Sequence, residues 1–393
     1  MTDQQFGKQI YNLPETLPLA QEYRTFQHVA AREFIKNFRQ QVEAIAGRRM
    51  LLSTNSAFHT PSDWWALPAV DFFTAETMLN AASRKIPQQQ IFRYKLADAL
   101  GTRLVCTGTP KQDWAFVRNN NLRGLVRTWI AQSYAYGHHF MVPHSMWCGE
   151  GQEQSDYKSQ PGDCDDLYQF VQEHAKLFDG FETVADVGVI YSNTAFRRGQ
   201  RQAQQASYEL TKRNIPFRLI AAGDEWMPVD LRKEDLAGLR ALVVTNPDTL
   251  NSDQRAVLDA VKVRTVAWPD QKRLSQLAPP PIDVTGATDV TVLPRAKSDD
   301  PSTLVCHLLN GNYLPQSDSM QALRDLTITL DDSLLSSTVT AATLTAPGQE
   351  DVACRFTHNE NGVSISVPSL DLWALLKLEM QNSKPHPSDK SPE

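Results

Sequence analysis

Arg48-Arg-Met-Leu-Leu-Ser-Thr-Asn55 begins basic, crosses a short apolar run and ends polar, directly after a helical stretch stopped by Gly47. A helix feeding a brief apolar segment with a polar end is the pattern of a buried parallel strand, here read over residues 48–54. Three more segments of this kind follow, at 70–74, 102–107 and 138–142, with helical stretches at 88–100 and 122–136 between them. Buried strands alternating with helices require a parallel sheet with covered faces. Four such units make the second half of a (β/α)₈ barrel, which sets a partial barrel over 1–162 as the first predicted domain.

Upstream of the first strand, Phe26, Val29, Ala30, Phe34, Phe38, Val42 and Ile45 recur at helical spacing over 23–46, a stripe expected to pack inward. Downstream, residues 148–162 are rich in Gly, Gln, Ser and acidic side chains and read as a long loop. A second α/β unit follows over 163–278. It has buried strands at 186–192, 217–221, 241–245 and 265–268, with helices at 165–178, 199–213 and 252–261. This is a small doubly wound, flavodoxin-like domain. Pro279-Pro-Pro281 breaks the pattern, since proline continues neither a helix nor a central strand. Beyond it, short segments at 304–309, 326–330, 338–344, 352–356 and 363–367 are separated by turns such as Asn310-Gly-Asn312, as in an antiparallel β-sandwich over 282–382. Residues 383–393 are expected to form a disordered tail.

The order of parts, with Asp186-Val-Gly-Val-Ile-Tyr-Ser192, Ala241-Leu-Val-Val-Thr-Asn-Pro247 and Leu304-Val-Cys-His-Leu-Leu-Asn310 as its landmarks, resembles glycoside hydrolase family 42 and related barrel glycosidases. The second unit looks like the β-galactosidase trimerisation domain, itself similar in fold to class I glutamine amidotransferases. The resemblance implies a carbohydrate ligand, an acid/base Glu after barrel strand four and a nucleophilic Glu after strand seven, roughly 5 Å apart. Strand four is absent from the sequence or lies before Met1. Strand seven ends Val105-Cys-Thr-Gly-Thr-Pro-Lys-Gln-Asp-Trp114, so Thr107 stands where the family places its Glu, and the nucleophile is unassigned.

Glu76 then becomes the first catalytic candidate, because a carboxylate at the end of a strand in a partly apolar mouth suits a general acid; a salt bridge is the plain alternative. Asp113 is the second candidate, set against a role as a turn cap. Asn55, Thr107, Thr109 and His144 supply hydroxyl-binding groups at strand ends. Trp147, Trp64 and Trp65 supply faces on which a pyranose could stack, or are simply buried. His138 and His139 point to opposite sides of one strand and share no metal ion, so no metal is expected. No cofactor is expected either, as no glycine-rich phosphate loop follows a strand. Nor does the second domain carry amidotransferase chemistry, having neither Cys nor His over 186–268.

A net charge of -6 argues against nucleic acid as a partner. No apolar run is long enough to span a membrane, and residues 1–9 lack a signal core. The chain is assigned to the cytoplasm by default, and to export if an upstream segment is missing. Five widely spaced cysteines read as free thiols, with a Cys148–Cys164 loop as the alternative. Homo-oligomerisation is expected because a half-barrel exposes strand edges. Three function classes remain: a carbohydrate-active hydrolase completed by further chain, a non-catalytic carbohydrate-binding or structural remnant, and an unrelated α/β enzyme. If Met1 is the true start, no glycosidase turnover is expected.

Overall fold

The computed structural model describes residues 19–56, 58, 60–143 and 159–381. Its first unit is a four-stranded sheet of β1 (Ser53–Asn55), β2 (Phe72–Thr77), β3 (Arg103–Gly108) and β4 (His139–Phe140), in that order and parallel throughout. The helices are α1 (Ala20–Ala46), α2 (Gln89–Ala99), the short α3 (Ala115–Asn120) and α4 (Arg123–Ala135). The first strand begins five residues later than expected. Its leading run is held another way, with Asp71 accepting hydrogen bonds from Arg39, Arg49 and the Leu52 N–H, so residues 48–52 are tethered before strand pairing begins.

The sheet is asymmetric. Phe73, Ala75, Leu104, Cys106 and Phe140 are buried beneath the helices, whereas Phe72, Thr74, Glu76 and Val105 on the opposite face are only half-buried and His139 is exposed. Residues 90–97 of α2 are all buried, because this helix lies between β3 on one side and a second sheet on the other.

The α1 stripe departs from its expectation. Phe26, Phe34 and Ile45 are 65%, 67% and 89% exposed, while His28 and Arg32 on the other side are buried. The periodicity identifies the helix but not its docked face, since that face combines Ile35, packed on the core, with polar side chains. Arg32 donates to the Trp65 and Trp226 carbonyls, and His28 stacks on Trp226 at 4.5 Å. Gly47, at φ +63°, ends the helix in a left-handed turn that suits glycine.

Burial, with Arg32 and Arg197 nearby, lowers the His28 imidazole from 6.5 to about 4. Because the folded chain resists this protonation, the stability carried by neutral His28 is complete above pH 6.5 and is lost as the pH falls towards 4. A wild-type melting temperature that drops over this interval, and drops less in His28→Phe, is the expected result; superimposable profiles would remove His28 as the cause.

The second unit is the parallel sheet β7-β6-β8-β9, built from β6 (Val187–Ser192), β7 (Phe217–Ala222), β8 (Ala241–Val244) and β9 (Arg264–Ala267). It is preceded by α5 (Asp165–Glu173) and the two-residue β5 (Glu182–Thr183). Helices α6 (Asn193–Arg197), α7 (Gln202–Lys212), α8 (Ser252–Asp259) and α9 (Gln271–Leu277) alternate with the strands, so the expected 199–213 helix is α7, and the short α6 before Gly199 is an addition to it.

Two antiparallel sheets complete the fold. One runs β10 (Ile282–Thr285), β15 (Leu323–Asp331), β19 (Gly362–Leu370), β18 (Phe356–Asn359), in spatial order. The other runs β17 (Val352–Ala353), β16 (Thr338–Thr345), β20 (Trp373–Gln381), β12 (Thr303–Asn310), β11 (Val290–Ala296), β5. A small hairpin, β13 (Tyr313–Leu314) with β14 (Ser319–Met320), sits beside them. Since β5 precedes the doubly wound sheet yet pairs with β11, the chain crosses the sandwich before it enters the second unit. Arg295 of β11 donates to the Phe181 carbonyl and lies so close to Gly137 that a Cβ there would meet its guanidinium at 2.4 Å.

Cys106, Cys164, Cys306 and Cys354 are free and buried; Cys148, the other half of the loop alternative, lies outside the described residues. Among the described residues no helix is long and apolar enough to cross a membrane.

Candidate functional site

Parallel register lines up side chains across strands. Asn55 pairs with Thr74, Thr74 with Val105 and Val105 with His139, while one row nearer the carboxyl ends Glu76 pairs with Thr107. Side chains at alternate positions share a face, so these two rows form the half-open side of the sheet. Glu76 is the one acidic residue within β1–β4. It is half-buried and receives a long contact, 3.5 Å, from Asn55 Nδ2. The structure thus brings Asn55 and Glu76 together at the strand ends.

Asp113 does not face them. It is fully buried, and its carboxylate accepts from the Leu79, Ala81 and Thr109 N–H groups at 3.0, 2.9 and 3.0 Å and from Thr109 Oγ1 at 2.7 Å. All this places it as the clamp between the loop after β2 and the turn after β3, rather than as a second catalytic carboxylate. Thr109 is engaged in the same clamp. Thr107 is buried and accepts from Trp114 Nε1, so it does not offer its hydroxyl to a ligand in this arrangement.

Trp64 is likewise a correction: it is fully buried, its Nε1 donates to Asn193 Oδ1 at 3.0 Å, and Phe58 meets it edge-on, which leaves no face for a sugar. Trp65 is partly buried against the core, and its carbonyl accepts from Arg32. His144 and Trp147 lie outside the described residues. His138 is buried between the Leu104 N–H, which donates to its Nδ1, and the Tyr94 carbonyl near its Nε2, whereas His139 is exposed on the open face. Among the described residues no cluster of His, Cys, Asp and Glu could hold a metal ion.

A polar network closes the carboxyl ends of β6 and β7. Asp224 accepts from Asn193, Thr194 and Arg197 side chains and from the Trp226 and Met227 N–H groups, and Arg197 lies 4.0 Å over the Trp226 ring. Its members sit 27–31 residues apart, or two to three along a turn, and no residue pattern announces them. The network binds the second unit to α1 and to the Trp64 turn.

With the geometry in view, similarity to known proteins can be set beside it. The chain is 26% identical over 367 residues to an alpha-agarase of Alteromonas agarilytica, covering 88% of this chain and 24% of that protein. It is 27% identical over 328 residues to an alpha-agarase of Thalassotalea agarivorans, covering 78% and 22%. The chain therefore spans about a quarter of the length of these curated relatives. No protein-family model matches it. Among solved structures, alpha-L-fucosidase isoenzyme 2 from Paenibacillus thiaminolyticus superposes with a TM-score of 0.64 at 11% identity, over 89% of this chain and 71% of that one. The fold is glycosidase-like. It is mixed α/β with many strands.

Proposed function

We propose that the chain is a glycoside hydrolase-like protein that engages an agar-type polysaccharide at the carboxyl ends of β1–β3, with Glu76 as proton donor or hydroxyl acceptor and Asn55 orienting it. The observation that carries this reading is the Asn55–Glu76 pair on the half-open sheet face, in a chain whose relatives are named alpha-agarases. Glycoside hydrolysis uses two carboxyl groups, and β1–β4 carry one. In this reading the second carboxylate and the rest of the barrel wall come from further polypeptide that covers the open face, and the finer placement beside family 42 is part of the proposal. A second reading, carbohydrate binding without turnover, is favoured by the engagement of Thr107 and Asp113 in structural hydrogen bonds.

Titration with neutral agaro-oligosaccharide tests the site. Wild type is expected to bind, and Glu76→Ala and Asn55→Ala to weaken binding about five- to tenfold each, the loss of one or two hydrogen bonds. Unchanged affinity in both variants would remove the site. Release of reducing ends that stops in Glu76→Gln would select the hydrolase reading over the binding one.

A further inference from the structure

A cleft of about 830 Å³ opens where the three parts of the fold meet, on the helical side of the β1–β4 sheet and away from its open face. That volume is in the range of small-ligand sites. One wall is formed by Thr128 and Gln132 of α4 and by Tyr136 just past its end, at intervals of four and each less than 7% exposed. Polar side chains on a buried helical stripe need partners, and Gln132 Oε1 has none among the described residues. That oxygen is closed to water as well, so the wall is packed rather than open at this point.

The rim adds charge. Arg84, Lys85, Lys212 and Arg213 line the cleft against Asp283 and Asp289, four cations to two carboxylates, in a chain whose net charge is -6. The two arginines are held by neutral acceptors: Arg84 donates to the Pro315 carbonyl and Asn120 Oδ1, and Arg213 to Ser275 Oγ and Gln271 Oε1. Their charge is left uncompensated by those contacts. Lys85 and Lys212 are exposed, and neither is within ion-pair distance of a carboxylate among the described residues. A half-buried Tyr313 ring lines the same cleft.

We propose that this three-way cleft is a second saccharide site, selective for an acidic oligosaccharide bearing sulfate or carboxylate groups, with Lys85 and Lys212 meeting the anion. The choice of a saccharide rests on the carbohydrate reading above; the cleft and its charge do not.

Isothermal titration of the full chain with three tetrasaccharides tests it: sulfated κ-carrageenan, oligogalacturonate and neutral agarotetraose. At least one acidic ligand is expected to bind tenfold or more tighter than the neutral one at low salt, and to weaken as salt rises. Lys85→Ala/Lys212→Ala, at exposed positions that leave folding intact, is expected to lose at least tenfold of that affinity and most of its salt dependence. Binding of the sulfated ligand alone assigns sulfate, and of the uronate alone carboxylate. No acidic ligand bound, equal affinity for the neutral ligand, or no change in the double lysine variant would each overturn the proposal. Neutral binding that depends on Glu76 and ignores the lysines would survive such a failure, so the two sites fail separately.

Discussion

Asp113→Ala is expected to destabilise the chain by about 3–5 kcal/mol, measured as the shift in the urea unfolding midpoint at constant slope. The carboxylate is fully buried and accepts four hydrogen bonds, three from backbone N–H groups and one from Thr109 Oγ1. Alanine leaves all four donors without an acceptor where water does not readily replace it. Each stranded buried donor costs about 1–3 kcal/mol, and relaxation of the two loops recovers part of the sum. Asp113→Asn is also expected to destabilise, since an amide turns one of its two acceptor atoms into a donor facing donors. A catalytic Asp113 would behave in the opposite way, with little loss of stability and a large loss of turnover. A measured loss below about 1 kcal/mol would refute the clamp.

Asp113 also shows why the fold is more legible than the site. Parallel βα units are written locally, in apolar runs that alternate with amphipathic helices, and the eight strands of the two parallel sheets fall on or beside the expected segments. Boundaries move for reasons that are not local. The first strand starts late because Asp71, nineteen residues after Leu52, tethers the leading run. The second extends past Thr74 to Glu76 and Thr77, whose weak apolar signal is overridden by pairing with Thr107 and Gly108. In the sandwich, β11 escapes a sequence reading because Pro294 sits inside it, and β20 because Leu372-Trp-Ala-Leu-Leu-Lys-Leu378 has no clear alternation. Such a run suits a strand buried on both sides as well as it suits a helix.

Burial is harder still to read. The Phe26, Phe34 and Ile45 stripe of α1 has the spacing of a core face, but periodicity reports only that a face exists and not what lies against it. The side that docks is held by Arg32 and His28, types a sequence reader places in solvent. Exposed apolar side chains in one stripe are what a packed partner would cover. The α1 stripe and the half-open row around Glu76 are both uncovered among the described residues, and β1 is an edge strand.

Trp64→Ala gives the sharpest separation of a sugar platform from a structural plug. The indole is fully buried, meets the Phe58 ring at 4.7 Å, and donates to Asn193 Oδ1 just past the carboxyl end of β6. In doubly wound sheets the crevice beyond the strand ends, where strand order reverses, is the usual ligand site. Here the first unit reaches that region with Trp64, and the Asn193–Asp224–Arg197 network closes around it. Truncation leaves a large cavity at the junction of two units, for an expected loss of about 3–5 kcal/mol. Trp64→Phe keeps most of the volume and removes the donor, for a loss nearer about 1 kcal/mol, because Tyr191 still donates to Asn193 Oδ1. Since the same residue joins the units, calorimetry of Trp64→Ala is expected to resolve two transitions where wild type shows a more cooperative one. A stacking tryptophan predicts the reverse pattern, with thermal stability retained and oligosaccharide affinity lost, so one melt and one titration on the same variant decide between them.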